Sequence, residues 1–224
     1  MNTATVNRFT NREDAGLCLA QRLVKHVRDG NPVLLALPRG GVPVAAAISS
    51  TFGLPFEVLN VRKLGVPGHE EFAMGAIAAG GVIVLDHQVV AECGLDFEDV
   101  GKVVRSESRE LGRREHLYCG NRSRPNVTHR KVILVDDGMA TGSTMSAAIR
   151  FLRHQQAGYI VVAVPVSPRD TARRLRSEAD EVVTVLEPRK FIAVGRWYED
   201  FSQTSDEEVR SLLEGQQAYL PASV

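Results

Sequence analysis

The chain has 224 residues, room for one compact α/β core with a small appendage. Lys+Arg and Asp+Glu balance at 27 each, which gives no global pull toward nucleic acid or a membrane surface. No apolar run approaches the roughly 18–20 residues of a membrane span, and Met1-Asn2-Thr3-Ala4-Thr5-Val6 lacks the basic and apolar regions of a signal peptide.

Thr10-Asn11-Arg12-Glu13 reads as a capping box, followed by apolar residues at helical spacing from Ala15 to Val27 and closed by Gly30. Residues 32–37 read as a buried strand, 38–41 as a turn, 42–52 as a helix ending at Gly53, and 56–61 as the next strand. Another strand falls within 80–86, and 97–118 is a long charged helix. Residues 121–129 read as a linker-like loop. Val132-Ile133-Leu134-Val135 is a fully buried strand, 145–152 a helix, 159–166 a strand, 169–178 a helix and 181–186 a strand. Ser205-Asp206-Glu207-Glu208 opens a final helix. Strands alternating with helices predict parallel βαβ units, with ligands bound at the strand ends. Cys18, Cys93 and Cys119 have no metal-ligand spacing and read as reduced thiols of a cytoplasmic protein.

Three strand-end loops carry the chemistry. After Val135 come two carboxylates, Asp136 and Asp137, then Gly138-Met139-Ala140-Thr141-Gly142-Ser143-Thr144 opening a helix. A small-residue turn at a helix N-terminus is an anion site, and an acidic pair beside it suits vicinal hydroxyls, as in a ribose 5-phosphate. No Gly-Lys-Ser/Thr follows, so a nucleotide P-loop is disfavoured. After the first core strand, Pro38-Arg39-Gly40-Gly41 offers a forked cation and two glycines suited to φ > 0 and close approach to a ligand. After the 56–61 strand, Arg62-Lys63 precede the Gly- and Pro-rich run Leu64-Gly65-Val66-Pro67-Gly68-His69-Glu70-Glu71-Phe72, read as a mobile loop.

The strand, acidic pair and Thr-Gly-Ser-Thr loop resemble the signature of the type I phosphoribosyltransferases. The resemblance implies a central, mainly parallel sheet flanked by helices with a small hood, in a single domain over residues 1–224. The hood is expected from 188–224 and a helical insertion from about 96–120. It also implies transfer of a phosphoribosyl group from phosphoribosyl pyrophosphate to a nitrogenous base or amine, with release of pyrophosphate. Asp136 and Asp137 would hold the ribose hydroxyls and reach Mg²⁺ through water. Residues 140–144 would hold the 5-phosphate, with Gly138 and Met139 also among the substrate-binding residues, Pro38, Arg39, Gly40 and Gly41 the pyrophosphate, and Arg62 and Lys63 the leaving-group charge on a catalytic lid. The 6-oxopurine enzymes carry an acidic residue where this chain has Ala140. The adenine enzymes have Ala there, and their lid glutamate suggests Glu70 or Glu71.

The tail Phe191-Ile192-Ala193-Val194-Gly195-Arg196-Trp197-Tyr198-Glu199-Asp200-Phe201 resembles that of stand-alone family members of unassigned substrate. Trp197 could stack on a base or pack against the core. The basic segment 102–131 reads as a solvated helix or as a charged cap, and nothing in it resembles an RNA module. A non-catalytic sensor of phosphoribosyl pyrophosphate and a phosphoribosyl hydrolase remain rival readings. Family members often dimerise, so the resemblance also raises a homodimer.

Overall fold

The computed structural model describes residues 8–28, 30–78, 80–118 and 125–216, without the side chain of Glu71. That side chain, Cys119, Arg122 and Arg124 therefore lie outside the described residues. Helix α1 (Arg12–Arg28) starts after Asn11, whose side chain accepts the Asp14 N–H at 2.9 Å while Asp14 accepts the Thr10 N–H at 2.9 Å. This reciprocal cap sits one residue beyond the expected Thr10–Glu13 pair, because Asn and Asp make it as well as Thr and Glu. Strand β1 (Val33–Ala36) feeds α2 (Gly41–Phe52), which Gly53 closes at φ +62°. Strand β2 (Phe56–Val58) then pairs in parallel with β1.

There the chain leaves the main sheet. Strands β3 (Val61–Val66), β4 (His69–Ala78) and β5 (Val82–Leu85) form a separate antiparallel sheet, followed by α3 (His87–Glu92) and α4 (Phe97–Tyr118). Two expectations are corrected here. Residues 56–61 are not one strand, since Leu59 N–H makes a last bond to Ala36 O at 2.9 Å and the chain then turns toward the second sheet. The 61–72 segment is a bulged hairpin rather than a mobile loop, with Arg62 and Lys63 inside β3 and the turn at Pro67-Gly68.

The chain returns through β6 (Lys131–Val135), α5 (Ser143–His154), β7 (Tyr159–Val166), α6 (Arg169–Leu175), β8 (Glu181–Leu186), a 3₁₀ turn at Val194–Trp197 and α7 (Asp206–Gly215). The main sheet has the order β2-β1-β6-β7-β8, and every described pairing in it is parallel. Its strands are apolar at consecutive positions because both faces are buried. Leu35, Leu134 and Val162 face the α5 side; Leu34, Ile133 and Val161 face α1 and α2. At the edge strand β2, Gln216 caps the Phe56 peptide from both sides, accepting its N–H at 2.8 Å and donating to its C=O at 2.7 Å. That covers an edge otherwise open to strand pairing. Among the described residues, no helix is long and apolar enough to cross a membrane.

The small sheet packs on α5, and α4 lies across β3. This second lobe, from residues 61–118, stands at the C-terminal end of β1 and β6. The tail after 188 pairs with the N-terminal segment through a Phe9–Tyr198 bridge, and its helix α7 packs on α2 and α4.

Candidate active site

The acidic pair emerges where β6 stops. Asp136 accepts the Asp137 N–H at 2.9 Å, and Asp137 Oδ2 accepts the Arg12 Nε–H at 2.8 Å. The Asp137 carbonyl accepts the Tyr198 hydroxyl at 2.5 Å. Burial pushes the Asp136 carboxyl well above the usual carboxylate range, and the neighbouring Asp137 charge adds to it. Burial also raises Asp137, against the opposing pull of the Arg12 guanidinium. Such a pair is poised for hydroxyl donors or a cation, either of which would compensate charge that water solvates poorly.

The following loop is built by its glycines and held from α6. A methyl on Gly138 would meet Val194 Cγ1 at 2.6 Å, and Gly142 sits at φ +74° as the N-cap of α5. Met139 N–H bonds Val166 O at 3.1 Å, and the Thr141 and Ser143 hydroxyls lie 3.0 Å apart. Thr171 donates to the Ala140 carbonyl at 2.7 Å. Arg174 donates to the Thr141 carbonyl at 2.8 Å and to Ser146 Oγ at 3.0 Å. With its carbonyls turned back into the protein, the loop leaves hydroxyls and the helix N-terminus facing out. Sequence reading missed Thr171 and Arg174, which lie some thirty residues downstream in a helix with no motif.

The β1 loop has a cis peptide between Pro38 and Arg39. Its glycines are required for a reason other than the expected one. Gly40 adopts φ −60°, an ordinary right-handed conformation. What it avoids is contact, since a methyl there would fall 2.0 Å from Asp137 Oδ2. A methyl on Gly41 would fall 2.7 Å from Val135 O and 2.9 Å from Asp136 Cα. The Arg39 guanidinium points to Asp206 at the start of α7, 3.5 Å away, and Asp206 also accepts from Arg113 and Tyr118.

A cavity of about 650 Å³ joins these parts. Pro38, Arg62, Lys63, Asp136 and Thr144 all line it, together with Glu70 from the hairpin. Arg62 Nε donates to Glu107 Oε2 at 2.6 Å, so α4 fixes its side chain. Residues Val103, Ser106, Glu107 and Arg114 line the same cavity. Their spacing is that of one helix face, the signal that could have marked α4 as a wall of the site. Arg39, Gly40, Gly41, Asp137, residues 138–143 of the loop and Trp197 stand outside the lining. Trp197 lies in the 3₁₀ turn, packed with the cluster of Phe9, Val166 and Tyr198. His69 is exposed on the hairpin.

A model of the phosphoribosyl transferase domain matches residues 4–200. Two proteins of Mycobacterium tuberculosis, from strains CDC 1551 and H37Rv and each named "Putative phosphoribosyl transferase", are 45% identical to this chain over 206 residues. The alignment covers 92% of this chain and 46% of each relative, so the chain spans just under half their length. The crystal structure of TT1426 from Thermus thermophilus is similar with a TM-score of 0.86 and 37% identity, covering 93% of this chain and 99% of that one. The domain match takes in both the N-terminal segment that carries Arg12 and the tail that carries Tyr198, and on it the chain belongs to the phosphoribosyl transferase family.

Proposed function

We propose that the protein transfers a 5-phosphoribosyl group from phosphoribosyl pyrophosphate to a nitrogenous base or amine. The observation that carries this reading is a half-buried carboxylate, Asp136, sharing one cavity with Thr144 of the hydroxyl loop and with Arg62 and Lys63. A phosphorylated sugar with vicinal hydroxyls needs the first two, and a departing pyrophosphate needs the cations. In the transfer, the bond from the anomeric carbon to pyrophosphate oxygen breaks as a carbon–nitrogen bond forms. The charge that develops on the ring is oxocarbenium-like, as in glycoside cleavage. Fixed cations and a water-excluding wall from α4 lower that barrier electrostatically. Among the described residues no aromatic side chain lines the cavity, so Ser106, Glu70 and Glu107 are the contacts offered to the acceptor.

The donor set fits Mg²⁺. Among the described residues no three His, Cys, Asp or Glu side chains gather as a metal cage. Two carboxylates beside a phosphate site match an ion that keeps several waters and takes its remaining ligands from substrate oxygens. When bound, Mg²⁺ would neutralise pyrophosphate charge. Asp136 is the residue to hold it.

The test is pyrophosphate release from phosphoribosyl pyrophosphate with Mg²⁺, with and without a panel of bases and amines. Acceptor-dependent release, lost in Asp136→Asn, is expected; release equal with and without acceptor would replace the transferase by a hydrolase. A phosphoribosyl pyrophosphate-binding regulatory protein is the second reading, favoured by the pairing of Arg39 and Arg62 with Asp206 and Glu107. Tight binding without turnover would establish it. Either way, Arg174→Ala frees the Thr141 carbonyl. It is expected to weaken phosphoribosyl pyrophosphate binding about tenfold in calorimetry, the scale of one charge-assisted hydrogen bond.

A further inference from the structure

The aromatic tail motif finds no place in the cavity, yet it is packed directly behind the acidic pair. Arg12 is its point of contact. The guanidinium gives Nε–H to Asp137 Oδ2 at 2.8 Å and a second N–H to the Ser202 carbonyl at 2.7 Å. Its carbon lies 4.0 Å over the centre of the Phe201 ring. Both partners of the ion pair are well buried, with side chains 12% and 14% exposed. The platform below is equally fixed. Phe9, Tyr198 and Phe201 stack with ring centres 5.4 Å and 5.0 Å apart, and a methyl on Gly195 would lie 2.7 Å from Phe201. Phe9 N–H bonds Trp197 O at 2.8 Å, and Glu199 and Asp200 N–H bond Phe9 O and Thr10 O at 2.8 Å and 2.9 Å.

Asp137 is thus held at three points: its carboxylate by Arg12, its carbonyl by Tyr198 and its N–H by Asp136. Arg12 itself does not line the ligand cavity. It lines a separate cavity of about 400 Å³ between α1, α2 and α7. Of the two carboxylates, Asp136 lines the ligand cavity and Asp137 does not. The resemblance to the family gives both to the ribose hydroxyls; this packing separates them.

We infer that Arg12, seated on the Tyr198–Phe201 platform, is a positioning residue that commits Asp137 to the protein and leaves Asp136 as the carboxylate that meets the ligand. The inference rests on the proposed phosphoribosyl pyrophosphate site for its ligand, and on the ion pair and platform alone for its geometry. Asp137 then works through the backbone: pinned by Arg12, it fixes the peptide that presents Asp136 and begins the phosphate loop. Arg suits this place and Lys does not, because only a planar fork can donate in two directions while stacking on a ring.

The test combines calorimetric binding of Mg²⁺-phosphoribosyl pyrophosphate with crystal structures of the unliganded variants. Asp136→Asn is expected to lose binding by about a hundredfold or more. Asp137→Asn and Arg12→Gln should each lose about tenfold, and the double variant should be no worse than either, as for two residues acting as one unit. Arg12→Lys should recover only part of the Arg12→Gln loss. In crystals of Arg12→Gln the residue 137 carboxylate should turn from the tail. Asp137→Asn as damaging as Asp136→Asn, with Arg12→Gln adding to it, would overturn the inference by putting both carboxylates on the ligand. If the wild type binds no phosphoribosyl pyrophosphate, the functional reading fails, and the crystal structure still decides: an unmoved Asp137 removes Arg12 from any positioning role. Should Arg12→Gln fail to fold, the Arg12→Lys and Asp137→Asn cycle decides the same question, coupled losses supporting the inference and additive losses overturning it.

Discussion

Asp136→Asn is expected to raise the melting temperature at neutral pH while removing ligand binding. The native carboxyl titrates well above its ordinary range because it is buried, with the Asp137 charge beside it. In the unfolded chain it titrates normally. Between those two points the native state binds more protons than the unfolded state, so this group's contribution to stability falls as pH rises. Below the ordinary carboxylate range the penalty is absent, and above the raised native value it is complete. Asn removes the charge, keeps an oxygen to accept the Asp137 N–H, and is nearly isosteric. Scanning calorimetry in EDTA should therefore show the variant with the higher melting temperature at pH 7.5, with the gap closing toward pH 4. A variant less stable than wild type at pH 7.5 would mean that Asp136 is a structural anchor, not a charge kept for the ligand. The trade of stability for a poised group is what a functional site predicts.

Where strands are buried on both faces, the sequence is easy to read. Residues 33–36, 132–135 and 160–164 are unbroken aliphatic runs followed by turn residues, and β1, β6 and β7 lie where those runs are. Strand β4 carries no such signal. Glu70, Ala73, Gly75, Ala76 and Ala78 are poor strand formers. Gly75 is small because a neighbour comes close: a methyl there would lie 2.3 Å from Val84 O. That close approach is made by the next strand of the hairpin, and the contacts of the site come from farther along the chain still. The acidic pair and its loop are contiguous and legible. Arg12 and Tyr198 are 125 and 61 residues away from Asp137, so only the fold brings them together. The paired glycines of the β1 loop were legible as a site feature, but their cause is the nearness of Asp137 and the β6 backbone, which no local conformational argument contains.

That cause makes Gly41→Ala a damaging substitution for the site. The added methyl meets Val135 O at 2.7 Å and Asp136 Cα at 2.9 Å, both backbone atoms of the strand end that bears the acidic pair. No side chain can rotate away to make room. Either α2 moves off β6, or the peptide before Asp136 shifts. Overpacking of this kind costs about 1–3 kcal/mol, and a shift of even 1 Å at the reacting groups costs about a hundredfold in rate. Gly40→Ala meets only the Asp137 carboxylate, at 2.0 Å, and can be relieved by breaking the Arg12 pair. It should fold better than Gly41→Ala and still lose binding. Gly53→Ala is the control. It ends the same helix at φ +62° with open space around it, so it should cost about 1–2 kcal/mol through strain alone and leave ligand affinity within about twofold. Thermal melts and calorimetric titration of the three variants separate the cases. Equal losses of affinity in all three would show that the glycines serve only α2. Loss confined to Gly40→Ala and Gly41→Ala would show that the first βα turn is shaped to let the acidic pair approach its ligand.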